Sequence, residues 1–219
     1  MTIIRENGGT RNRTGGTIAF MATSAVVIID VQNDFCAGGP LAVPDAAAIV
    51  PVVNGLISMF ERVVFTQDWH PPRHVSFASS HPGRRVFDRI PLSADEQILW
   101  PDHCVAGTPG AALHPGLHVP PHATVLRKGV HGSIDCYSAF FENNGTTAVG
   151  LDALLREAGV AEVVLAGLAT DFCVLRTALD ARRLGYEVTV VEAGCRGIDV
   201  DGSLAVAWSR MAAKGIRRA

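Results

Sequence analysis

Of the five cysteines in this 219-residue chain, Cys173 stands where a thiol can react. It follows the apolar run Val163-Val164-Leu165-Ala166-Gly167-Leu168-Ala169 and opens a helical pattern from Val174 to Ala181, so it falls at a strand-to-helix turn. The unpaired N–H groups and positive dipole end of a helix N-terminus favour a thiolate over the ordinary thiol pKa of about 8.5. The same N–H groups can bind an oxyanion. Acyl transfer through a thioester is the chemistry such a place allows, while a small buried hydrophobe is the other reading of a lone cysteine. The companions of Cys173 decide between the two. Asp30, Asp68 and Lys128 each close a β-branched run, so an acid, a metal-type ligand, a basic group and a nucleophile come from four separate stretches. Each alone also serves as a turn former or a solvated charge; their joint placement favours catalysis.

A second constellation begins at Asp68. Residues two apart on an extended segment point the same way, so Asp68 and His70 can bind one cation through an oxygen and a nitrogen, and His103 would complete a facial set. His74 is a further possible ligand. The alternative is a surface turn at Asp68-Trp69-His70 and a loop histidine at His103 satisfied by its neighbours. One carboxylate and two imidazoles with open positions suit Zn, Fe or Mn alike. His81, His114, His118, His122 and His131 carry no such spacing and read as surface or structural residues.

These residues need elements to position them. Ala25 to Val31 is apolar on both faces, as in a central parallel strand covered by helices on each side. A helix is expected from about Pro51 to Phe60, a strand over residues 62–67, a long irregular stretch over about 70–121, and a third strand over 123–127. A helix over 151–158 closes at Gly159. The strand from Glu162, the Cys173 helix ending at Gly185, a strand over 187–191 and a last helix from about Val200 to Lys214 complete the chain. Strands alternating with helices predict an α/β fold in three layers, α/β/α, around a central, mostly parallel sheet. Ligands of such sheets bind at the C-terminal ends of the strands. A long loop inside such a domain is usually functional.

Composition bounds the function. A net charge of −2 and 48% hydrophobic residues give no field that gathers nucleic acid or an anionic membrane, and small-molecule chemistry is the expectation. Five cysteines without short paired spacings indicate neither a disulfide framework nor a cysteine zinc module, which fits a reducing cytoplasm. Residues 1–22 read as a disordered extension with no secretory h-region, and residues 23–219 as one domain. No run of about 18 apolar residues is present to span a bilayer.

The motifs Ile29-Asp30-Val31-Gln32-Asn33-Asp34-Phe35, Thr66-Gln67-Asp68-Trp69-His70-Pro71-Pro72-Arg73-His74-Val75-Ser76-Phe77-Ala78, Trp100-Pro101-Asp102-His103-Cys104, Lys128-Gly129, Tyr137-Ser138-Ala139-Phe140-Phe141 and Gly167 to Val174 resemble the bacterial nicotinamidases, also called pyrazinamidases. These are enzymes of the isochorismatase-like cysteine hydrolase superfamily. The resemblance runs from about Ala25 to Lys214 and implies the isochorismatase-like hydrolase fold. It further implies a metal-dependent amidase converting nicotinamide to nicotinate and ammonia in NAD salvage, with pyrazinamide as a second substrate. Asp30, Lys128 and Cys173 would be the triad, and the backbone N–H groups of Ala169 and Cys173 the oxyanion hole, beside a cis peptide between Leu168 and Ala169. Asp68, His70 and His103 would hold the metal that binds the pyridine nitrogen, with Phe35 and Trp100 sandwiching the ring and Tyr137 as a wall. Ordinary core packing is the other reading of those three aromatics. A metal-free amidase of carbamoyl or ureido substrates and a non-catalytic binding protein of the same fold are the alternatives. A vinyl ether hydrolase of the superfamily would lack the cysteine nucleophile. Metal identity and the choice between monomer and homo-oligomer stay open at this stage.

Overall fold

Strand β1, Ser24–Ile29, is buried along its whole length, as a continuous apolar run between two helical layers must be. It pairs in parallel with β2, Val63–Asp68, on one side and with β6, Glu162–Leu168, on the other. The computed structural model describes residues 23–92 and 95–219; the expected extension over residues 1–22 lies outside them. β5, Thr124–Lys128, joins the far side of β2, while β7, Glu187–Arg196, and β8, Arg217–Arg218, continue beyond β6. The result is a six-stranded parallel sheet in the order β5-β2-β1-β6-β7-β8.

Alternating strand residues divide the core between the two faces. Val26, Ile28, Val63 and Phe65 pack with Val53, Leu56 and Ile57 of helix α1, Val50–Ile57. Ala25, Val27, Ile29 and Leu165 pack against α2, Leu151–Glu157, α3, Leu175–Arg183, and α4, Ser203–Ala213. The molecule is thus the expected three-layer α/β/α sandwich. Two departures matter for the site. Within the stretch expected to be irregular, β3, Arg89–Leu92, and β4, Asp95–Ile98, form an antiparallel hairpin. β7 also runs past Val191 to Arg196, because its pairing with β6 resumes after a register shift at Gly167↔Cys195 and Leu168↔Arg196.

From β1 the chain steps to β2 and then β5 on one side; with β6 it returns to the other side of β1. Strand order therefore reverses between β1 and β6, the place where open α/β sheets leave a crevice for a ligand.

Candidate active site

Asp30 is the first residue beyond β1, and the backbone turns there into the left-handed region, φ 47°. Thr66, on β2, fixes it from both ends. The Asp30 N–H donates to Thr66 Oγ1 at 3.1 Å, and the Thr66 hydroxyl donates to Asp30 Oδ1 at 2.6 Å. Lys128 ends β5 in register with Asp68 at the end of β2, and its buried ammonium reaches four groups. It donates to Asp68 Oδ1, lies 2.9 Å from Asp30 Oδ2, and lies 3.4 Å from Cys173 Sγ, while a fourth contact, to the Cys136 carbonyl, measures 3.0 Å. Asp30 Oδ2 receives no well-aligned hydrogen bond, so it is open to a proton from the neighbouring thiol.

Cys173 lies in one wide π-type turn, Thr170–Val174, between β6 and α3. The Leu168–Ala169 peptide before it is cis, and the Phe172 and Val174 N–H groups both donate to the Ala169 carbonyl at 3.1 Å. β6 comes unusually close to β1 here. Gly167 has φ 131°, and a Cβ on it would run into the Ile29 backbone.

Burial governs the protonation states. It pushes Asp30 up to about 6, with Lys128 and the Thr66 hydrogen bond pulling back and Asp68 adding to the rise. It pushes the Cys173 thiol well up, Lys128 opposing and Asp30 and Asp68 reinforcing. The helix-end argument from sequence favours a thiolate; enclosure works against it, because burial disfavours the charged sulfur. For Lys128 burial works against the charge, but Asp30 and Asp68 hold its pKa well above the ordinary value. Asp68 is likewise disfavoured by burial, and Lys128 and His70 keep it far below the usual carboxylate range.

Asp68, His70 and His103 present one ligand atom each within 4.8 Å of one another, all three residues buried. His70 Nδ1 faces the Gly129 carbonyl at 3.0 Å and His103 Nδ1 the Pro101 carbonyl at 2.8 Å. Each ring therefore donates from Nδ1 and keeps a lone pair on Nε2, the arrangement in which histidines ligate metals. Burial and the neighbouring His70 push His103 down to about 4, so it is neutral. At His70 burial acts downward, yet Asp68 carries the pKa above its ordinary value. Gly129 has φ 66°, and the His70 ring leans where its Cβ would be. His74 stays out of this set. Its Nδ1 accepts from Ser76 N–H at 3.3 Å, its Nε2 meets the Ile134 carbonyl at 3.1 Å, and its ring stacks on His70 with centroids 4.3 Å apart.

The pocket between these groups is walled by Phe35, Trp100, Tyr137 and Phe172. Trp100 Nε1 donates to Tyr137 Oη at 3.0 Å, and Phe172 meets Trp100 edge-on with centroids 4.8 Å apart. The Isochorismatase domain family matches residues 24–217, nearly the whole described chain. The chain belongs to the isochorismatase family. It is 48% identical over 194 residues to a nicotinamidase of Acinetobacter baylyi, covering 89% of this chain and 91% of that one. A solved structure described as an Acinetobacter baumanii nicotinamidase and pyrazinamidase superposes with a TM-score of 0.89 at 49% identity, over 90% of this chain and 96% of that chain. A pyrazinamidase of Pyrococcus horikoshii, solved in complex with zinc, gives 0.74 at 33% identity over 90% and 98%.

Phe35, Asp68, His70, Trp100, His103, Tyr137, Ala169 and Cys173 line this one pocket, and Lys128 joins Cys173 to Asp30 beside it. Sequence reasoning missed Thr66, whose place two residues before Asp68 puts it on the same strand face. It missed Phe172 as a wall, although that residue adjoins Cys173. It also missed Asp135, a buried carboxylate on the pocket lining, for which the sequence carried no spacing signal.

Proposed function

We propose that this isochorismatase-family protein is a nicotinamidase, hydrolysing nicotinamide to nicotinate and ammonia and pyrazinamide to pyrazinoate, as a step of NAD salvage. The observation that carries the reading is the joint placement, in one aromatic-walled pocket, of a carboxylate-bis-histidine donor set and a buried Asp-Lys-Cys cluster. The five described cysteines are free and buried, which suits a reducing cytoplasm. Among the described residues no helix is long and apolar enough to cross a membrane.

Asp30 Oδ2 takes the Cys173 thiol proton as Sγ adds to the amide carbon. The Ala169 and Cys173 N–H groups receive the negative oxygen, each such donor supplying about 3–4 kcal/mol of barrier lowering. Asp30 returns the proton to the amide nitrogen, the C–N bond breaks, and ammonia leaves a thioester on Cys173. A water then adds to that carbon while Asp30 takes its proton; the C–S bond breaks, nicotinate is released, and the proton goes back to sulfur. Lys128 keeps Asp30 in place and favours its ionised form ahead of each proton transfer. Asp68, His70 and His103 would hold a divalent metal, Zn, Fe or Mn, and when bound it would offer an open position to the ring nitrogen of the substrate. Phe35 and Trp100 enclose the ring, with Tyr137 and Phe172 closing the wall.

The test is ammonia release by the purified, metal-loaded protein from nicotinamide, pyrazinamide and benzamide, which keeps the shape and the amide but lacks the ring nitrogen. A site that recognises a polar atom rejects the analogue lacking it by about 10⁴-fold or more. Nicotinamide and pyrazinamide should turn over and benzamide should not, with an acyl adduct trapped on Cys173. Equal turnover of benzamide, or turnover of carbamoyl amides alone, overturns the assignment.

A further inference from the structure

Asp135 has no part in the reaction as drawn above, yet it is buried and lines the same pocket as Cys173 and the Asp68, His70 and His103 set. Both of its oxygens accept hydrogen bonds, Oδ1 from the Cys136 N–H at 2.8 Å and Oδ2 from the Gln97 amide at 2.7 Å. Donors on both oxygens are the environment of an ionised carboxylate, which has acceptors only. One of these oxygens lies within 4.8 Å of a ring nitrogen of His70 and of one of His74.

The charges of the pocket give that carboxylate a use. Asp30 and Asp68 against Lys128 leave one net negative charge, and the imidazoles are neutral once they ligate. A divalent ion would then leave one positive charge uncompensated in a buried site, which is costly. Asp135 removes that excess. We propose that Asp135 is a positioning residue for the cation, the counter-charge that lets Asp68, His70 and His103 hold a divalent ion. This rests on reading those three residues as ligands. The Gln97 bond adds a mechanical role, because β4 leads directly to Trp100 and His103, whereas Asp135 precedes Cys136 and Tyr137, which line the same pocket.

The two roles separate by mutation. Zinc affinity is measured by competition with a colorimetric chelator, and the metal-free proteins are followed by thermal unfolding in EDTA. Asp135→Asn keeps the shape and removes the charge, and should weaken zinc binding about 10- to 100-fold, the range for partners just outside a metal's ligands. Its new amide N–H groups face the Gln97 amide, so its metal-free Tm should fall about as far as that of Gln97→Leu, and zinc affinity alone separates the two variants. Gln97→Leu removes the brace and keeps the charge; it should lower the metal-free Tm while holding zinc within about threefold of wild type. Asp135→Glu should bind zinc more tightly than Asp135→Asn. Zinc affinity of Asp135→Asn within threefold of wild type, or an equal loss in Gln97→Leu, overturns the proposal and leaves the ligand assignment standing. Wild-type protein that takes up no zinc, iron or manganese overturns both.

Discussion

The buried ammonium of Lys128 faces two carboxylates, Asp30 and Asp68, and belongs to the candidate triad and the candidate metal set at once. Removing one partner of a buried ion pair costs about 3–5 kcal/mol, because the other charge stays behind unpaired. Here two would stay behind. Lys128→Met, which roughly keeps the length and loses the charge, should therefore lower stability by at least that amount in urea unfolding. It should also reduce turnover by several orders of magnitude. A variant as stable as wild type would show that water or a proton already compensates the carboxylates. Asp30 supports a second test. A general base works ionised, and burial places Asp30 at about 6 in the metal-free site, with Lys128 opposing. The ionised fraction falls as pH drops through that value, and a cation held by Asp68 moves the break lower. kcat/KM should thus be flat just above pH about 6 and decline on an acid limb breaking at or below it. An acid limb breaking above pH 7 would assign the base to another group.

Among the elements, what the sequence could disclose follows from how local each signal is. β1, β2, β5 and β6 were readable because each is a short apolar run ending in a charged or reactive residue. The rule that ligands sit at the C-terminal ends of parallel strands then brings Asp30, Asp68, Lys128 and Cys173 together from the sequence alone. The β3–β4 hairpin was not readable, since Arg89-Ile90-Pro91-Leu92 and Asp95-Glu96-Gln97-Ile98 have no clean alternation and a proline within the strand. The second half of β7 was hidden by Glu192-Ala193-Gly194, where apolar periodicity stops although pairing with β6 resumes. The thiol's raised pKa was equally out of reach, because the degree of enclosure is a tertiary property. Gly167 shows how tightly two of these strands must meet. Alanine there would adopt φ 131° and push its Cβ into the Ile29 backbone, so Gly167→Ala should cost at least about 1–3 kcal/mol, the range for overpacked interiors. The same displacement would separate Asp30 from Cys173, and a shift of about 1 Å can cost about 10²-fold in rate. Urea unfolding and turnover should fall together; a stable, inactive variant would show that the strands yield without unfolding the sheet.

For the whole molecule, the donor set joins segments far apart in sequence. Asp68 ends β2, His70 follows it, and His103 arrives after the hairpin, while Lys128 reaches Asp68 from β5. Unfolding scatters all of them, so a cation that binds the folded form has no comparable site on the unfolded chain. Binding is then linked to folding, and the added stability follows from mass action: about 2.7 kcal/mol when free ligand is 100 times Kd and about 4.1 kcal/mol at 1,000 times. For a domain of this size each kcal/mol moves Tm by roughly 2–4 °C. Saturating zinc, iron or manganese should thus raise Tm by roughly 5–16 °C over protein stripped with EDTA, the rise growing with the logarithm of free metal. His103→Ala removes one ligand that touches neither Lys128 nor Cys173; the void left by its buried ring should lower the metal-free Tm, and the variant should lose most of the further rise that metal gives. A metal-dependent Tm that survives in His103→Ala would place the cation elsewhere in the fold. A Tm that ignores metal in the wild type would mean that these three residues meet for a reason other than coordination.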